Sequence, residues 1–347
     1  MRQLLIASLT SAALLAIPAH AAKKQPAAAP AAQPAKAPQI EMSLKDMTPL
    51  FIDFYDAATT PVVVPSPPAA PKPPATASAP APTPAPPAAP VKAMPNAEQR
   101  FNAWKKYYNF TVQENDEALR KELDAKFDRY AAVMKQIEGG YDTMEPKPDA
   151  LNTALAAQYL PEKGMSIGFV TYVGLFEGKV MSKIEEGKQK IYLPLEVTPE
   201  QRALPLARIL ADNMQNTIVA WPNGNPRNLA EWVVAEGVKA HVLQNVVPGK
   251  TQAEYMDVPA DWLANAQGKQ ADIFKEMVPL LKDSGATIET YRKDKLNEAR
   301  LAGWVAVEAF LKKKARLADM IRQSPADIIR LTDMALLRGA VQANKKK

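Results

Sequence analysis

The 347-residue chain contains no cysteine. Disulfides are therefore excluded, a cysteine nucleophile is impossible, and the fold must rest on its apolar core alone. Histidine is almost as scarce, occurring only as His20 and His241. His20 falls within an N-terminal segment that reads as a removable signal, so a mechanism needing two imidazoles in the mature chain is excluded. No apolar run after residue 17 is long enough to span a bilayer. Nor is there a basic stripe with interleaved aromatics. The formal net charge of +6 is a modest surplus, part of it in Lys345-Lys346-Lys347, and nucleic acid is not an expected partner.

What is present begins with Arg2, an apolar run over residues 4–17 and the small residues Ala19-His20-Ala21. This pattern predicts a cleaved secretory signal at 1–21 and a product that is periplasmic or secreted. The run is shorter than the ~20 residues of a membrane helix, and Pro18 ends it. No cysteine stands at a lipobox position, so lipid anchoring there is not expected. Residues 22–41 are an Ala/Pro leader of a composition that cannot order itself. Over 42–59, Phe51, Phe54 and Tyr55 recur at helical spacing and predict a helix packing on the main domain. Residues 60–95 are a Pro/Ala-rich tract, expected as a disordered, extended insertion.

From residue 96 the pattern is that of a helical domain, with a small sheet at about 166–195. Phe101, Trp104, Tyr108 and Val112 share one helical face. Leu119, Leu123, Phe127, Tyr130, Met134 and Ile137 share another, closed by Gly139-Gly140. Ser166 to Gly174 and Lys190 to Leu195 are rich in β-branched and aromatic types and read as strands. Thr198-Pro199-Glu200-Gln201 is a capping box, Asn225-Pro226 starts a further helix, Pro248-Gly249 stops it, and Ser324-Pro325 caps the last. The fold class expected is α+β, predominantly α-helical.

Within the helix predicted from about Leu206 to Trp221, Asp212 and Asn216 lie about 40° apart and Asn213 roughly 100° from Asp212. Such an arc is the ordinary outer side of an amphipathic helix. The next helix is almost wholly apolar around Glu236, which is therefore expected to be buried. A buried carboxylate needs a partner or stays protonated. A helix-to-helix hydrogen bond, a pairing with Arg300, or a role as metal ligand or its remnant all satisfy that need.

Leu210-Ala211-Asp212-Asn213-Met214-Gln215-Asn216, then Ala235-Glu236-Gly237 twenty residues on, and later Ala302-Gly303-Trp304, resemble the gluzincin-type zinc metallopeptidases in order and spacing. The resemblance covers roughly residues 166–337 and implies a zincin-like domain with a small sheet over an active-site-type helix. In that family His-Glu-x-x-His holds zinc with a Glu from the following helix, and the first Glu activates water. By that resemblance Asp212 replaces the first His, Asn213 the general base, Asn216 the second His, and Glu236 retains the third ligand. Trp304 replaces an oxyanion-assisting tyrosine.

Neutral amides neither take up a proton at pH 7 nor compete with imidazole for zinc. No residue is therefore assigned as catalytic, and neither a resident metal nor a cofactor is expected. The oxygens of Asp212, Asn216 and Glu236 leave weak binding of a hard cation open. Facing in another direction from Glu236, His241 reads as a packing residue. The resemblance thus implies a noncatalytic, metallopeptidase-like protein holding a peptide or protein segment in a cleft. The alternatives are a hydrolase using Asp212, Glu231 or Glu236, or a structural protein with a Pro-rich spacer.

Overall fold

In this computed structural model the described residues are 40–64, 91–109 and 115–345. The expected signal, most of the leader, the centre of the Pro/Ala tract and Val112 lie outside them.

β1 (Ile40–Asp46) and α1 (Thr48–Thr59) come first, followed by a ribbon of β2 (Val62–Val64) and β3 (Val91–Ala93). Then α2 (Ala97–Tyr107), α3 (Asp116–Lys126), α4 (Arg129–Glu138), α5 (Gly140–Thr143) and α6 (Pro148–Tyr159) lead into β4 (Met165–Tyr172), β5 (Met181–Glu185) and β6 (Lys188–Pro194). The rest is helical: α7 (Pro199–Val219), α8 (Leu229–Val246), α9 (Gln252–Met256), α10 (Ala260–Gln267), α11 (Gln270–Met277), α12 (Ala286–Asp294), α13 (Leu296–Leu311), α14 (Leu317–Met320) and α15 (Pro325–Asn344). The chain is α+β and mostly helical, as composition and periodicity predict.

Two readings of the N-terminal part are corrected. The helix expected over 42–59 is a strand followed by a helix, because the apolar period changes from two to that of a helix at Met47. β1 is moreover a member of the main sheet, pairing in parallel with β4. The tract over 60–95 is not unstructured throughout, since its two ends pair as the antiparallel β2–β3 ribbon.

The four-stranded sheet has the order β1-β4-β6-β5. β1, β4 and β6 are parallel, and β5 returns antiparallel beside β6. The β5–β6 hairpin turns on Glu186 and Gly187, both at positive φ, which is the backbone of a type I′ turn. β4 is central and buried on both sides along most of its length, as its apolar composition requires. One side is sealed by aromatic residues of α1, α2 and α4: Phe51 lies edge-on to Tyr107 and Tyr130, and Phe54 edge-on to Trp104.

α7 opens with the Thr198–Gln201 capping box and Pro199 in its first turn. Ser324 caps α15. The start expected at Asn225-Pro226 is displaced: α8 begins at Leu229, where the Asn228 side chain accepts from the Glu231 N–H. α8 is buried on nearly all sides and forms the centre of the helical layer. α13 crosses it where Gly237 meets Gly303, so close that a Cβ on Gly303 would lie 2.8 Å from the Gly237 nitrogen.

Candidate functional site

Arg208, Asp212 and Asn216 recur every fourth residue along α7 and form a polar stripe on it. The middle member meets α8: Lys239 Nζ lies 2.7 Å from Asp212 Oδ1 and 2.7 Å from Glu236 Oε1. Lys239 follows Glu236 by one helical turn, so the two share a face. From α13, Arg300 Nε lies 3.2 Å from Glu236 Oε2, and its Nη1 lies 3.0 Å from Asp257 Oδ2. Arg208 donates to the Glu254 carbonyl at 2.8 Å and sits within the field of Asp257, Glu236 and Asp212. Three carboxylates and three cations thus form one charge-balanced cluster joining α7, α8 and α13.

Burial alone would raise the Glu236 carboxyl, but Lys239 and Arg300 outweigh it and hold the pKa below the ordinary carboxylate value. Burial likewise works against the Lys239 ammonium, and Glu236 and Asp212 overcome it, raising its pKa. Both groups are therefore charged at neutral pH.

The residues present do not fit zinc. An ammonium stands between Asp212 and Glu236, and both Glu236 oxygens are engaged by cations. Among the described residues no group of three or more His, Cys, Asp or Glu side chains is placed to hold a metal ion. This also corrects the hard-cation alternative, because Lys239 occupies the charge that such an ion would supply.

The remaining residues singled out from the sequence separate. Asn213 is buried, with no hydrogen-bond partner for Nδ2, and faces the start of β4 together with Asn216, which is exposed. Trp304 stacks on His241 with ring centroids 4.0 Å apart. It belongs to a packing pair, and burial lowers the His241 pKa so that the ring stays neutral. Glu231 is tied to Arg227 at the opening of α8, through the Arg227 N–H at 2.8 Å and its guanidinium at 2.8 Å. Of the three carboxylates considered for relocated hydrolysis, Asp212 and Glu236 meet across Lys239, and Glu231 is engaged separately by Arg227. Lys239 is the member that sequence reasoning missed. Its signal was a lone lysine at i+3 from Glu236 in an apolar helix.

Two grooves flank this cluster along α7. One, of about 630 Å³, is walled by Val180, Leu204, Ile209 and Val258, with Arg208 and Asp257 on its charged side. The other, of about 360 Å³, is lined by Ser166, Ile167, Gln189, Asn213, Asn216 and Thr217. Because α7 follows β6 after a short connection and its C-terminal half meets the beginning of β4, it runs antiparallel to both strands. β5 therefore runs in the same direction as α7, and Asp212 lies between the two grooves. Ile184 pairs with Gln189 across the hairpin, shares its face of the sheet, and is 81% exposed.

A second buried carboxylate lies past the end of β6. Glu196 is held by the backbone N–H groups of Gly174 and Phe176, while its Oε2 has no hydrogen-bond partner. Tyr107 and Tyr130 donate to the carbonyls of Val173 and Gly174 at 2.9 and 2.7 Å, closing the site over. Burial raises the Glu196 pKa, with the backbone donors and Arg202 opposing. A raised folded-state pKa favours folding below the ordinary value of 4.5, and that advantage is lost as pH rises through the folded pKa. Glu196→Gln is expected to raise the melting temperature at pH 8 but not at pH 4; calorimetry at both pH values checks this.

Comparison with family models, with curated proteins and with solved structures finds no match for this chain.

Proposed function

We propose that the chain is a noncatalytic relative of the gluzincin-type metallopeptidases that binds an extended peptide or protein segment in the cell envelope. The supporting observation is the pair of grooves along α7, an apolar one towards its N-terminal half and an amide-lined one towards its C-terminal half, on a sheet whose β5 edge is open. Between them the charges are neutralised internally. β5 pairs only with β6 among the described residues, so its outer backbone groups are open to strand addition, which needs no metal. Val180, Leu204 and Ile209 suit an apolar side chain of the ligand, and the exposed amide of Asn216 in the other groove offers a donor to a peptide carbonyl.

The spacing of Asp212, Asn213, Asn216 and Glu236, with Gly237 set against Gly303, supports the ancestry. The Lys239 ammonium bridging two former ligand positions supports the loss of metal chemistry.

A phage-displayed library of linear peptides panned against the purified chain tests the reading. Enriched sequences are expected to carry an apolar residue in an extended segment. Ile209→Ala should weaken them about tenfold or more, the effect of removing one anchor wall, with circular dichroism confirming that the variant is folded at the assay temperature. Leu337→Asp, on the exposed face of α15, should leave binding unchanged. No enrichment, or equal binding by both variants, would sink the proposal.

A further inference from the structure

The opposite edge of the sheet has a different character. β1 pairs with β4 on one side and with no other strand among the described residues. Every residue from Glu41 to Asp46 is exposed, including Met42 at 42% and Leu44 at 48%. A long, open edge bearing apolar side chains is a template for pairing with another strand. Asp46 is committed inward, its Oδ1 accepting from the Thr48 N–H at 2.9 Å and from the Thr171 hydroxyl. Glu41 to Lys45 remain, and neither Glu41 nor Lys45 makes a salt bridge within the described residues.

The order of those five residues, Glu-Met-Ser-Leu-Lys, is self-complementary. Consider two copies of β1 running antiparallel about a twofold axis at Ser43. Glu41 then faces Lys45 of the second copy, Lys45 faces its Glu41, and Met42 and Leu44 face each other twice. Moving the axis to Met42 or Leu44 loses both ion pairs. Registers offset by one residue set the apolar face against the polar one. β5 fails the same test, because an axis at its centre opposes Lys183 to Lys183 and Met181 to Glu185, and like charges directly across a ladder are unfavourable.

We propose that the chain forms a twofold dimer by antiparallel pairing of β1 with β1 of a second copy, joining the two four-stranded sheets into one. This leaves both β5 edges open and does not depend on what the groove binds.

Sedimentation equilibrium of the purified chain over micromolar to millimolar concentrations tests the inference. The wild type is expected to pass from monomer to dimer. Glu41→Lys and Lys45→Glu, which move the net charge in opposite directions, should each weaken the dimer by about tenfold or more, since each turns two attractions into two repulsions. The double variant E41K/K45E restores the pairs with signs exchanged and should return the affinity to within about threefold of wild type. Rescue by the double variant also rules out loss of folding in the singles. A wild type that stays monomeric throughout, a dimer indifferent to the single reversals, or a double variant no better than either single would overturn the proposal.

Discussion

Gly237→Ala is expected to lower the unfolding free energy by about 3 kcal/mol or more, although the substitution favours the helix in isolation. Alanine over glycine in a helix interior is worth roughly 1 kcal/mol. Opposing that gain, a Cβ at Gly237 would lie 2.1 Å from the Gly303 carbonyl oxygen, 2.3 Å from its carbon and 2.8 Å from Val307 Cγ2. The obstructing atoms are backbone on a second buried helix, so no side-chain rotation relieves the overlap and α8 and α13 must separate. Overpacking of this kind costs about 1–3 kcal/mol where neighbours can give, and more where they cannot. The overlap therefore wins. Separation also pulls Arg300 away from Glu236, which ties this crossing to the charge cluster. Gly268→Ala is the control, since its Cβ would meet nothing closer than the Asn265 carbonyl at 3.8 Å. Guanidinium unfolding curves of the two variants compare them directly; equal midpoints would show that the crossing tolerates a methyl group.

The same glycines show what could and could not be read from the sequence. Glu236-Gly237 and Ala302-Gly303-Trp304 drew attention through their resemblance to a family pattern. In the fold they have a local physical purpose, since two helices touch at their glycines. Caps were legible because Thr198 and Ser324 act within one turn of themselves. β4 and the second half of β6 were legible because buried parallel strands are rich in apolar, β-branched and aromatic residues. β1 was missed because it runs directly into an aromatic-rich helix, whose stronger period absorbed it. Burial of Glu236 followed from the apolar helix around it, and Arg300 was one of the partners open to a carboxylate that needed one. The separation of Asp212 from Asn213 did not, because a step of roughly 100° turned one towards α8 and the other towards the sheet, and only the packed helices decide which face is which. Glu196 carried no local signal at all, as tyrosines from α2 and α4 close over it.

Lys239→Met should be the most damaging change in the charge cluster, at about 3 kcal/mol near pH 7. The Lys239 side chain is 6% exposed and that of Glu236 11%, so removing the ammonium leaves a carboxylate short of one cation in a poorly solvated place. Breaking a buried pair from one side costs about 3–5 kcal/mol. The lower end applies because Arg300 still holds Glu236, and because Asp212, at 44% exposed, can turn to water and its share is discounted. The pH dependence identifies the cause. A carboxyl held below its ordinary value of 4.5 stabilises the fold above that pH, and the contribution fades as pH falls through the lower folded value. Without Lys239 the Glu236 pKa rises, so the variant has less to lose in acid, and its deficit relative to wild type should shrink between pH 7 and pH 3. Lys239 itself, raised above 10.5, loses its contribution only in strong alkali and does not affect that window. Lys239→Met/Glu236→Gln removes the stranded charge and should recover part of the loss. A deficit that stays constant from pH 7 to pH 3, with no recovery in the double variant, would mean that the lysine acts through its aliphatic stem, and the cluster would then be packing rather than charge pairing.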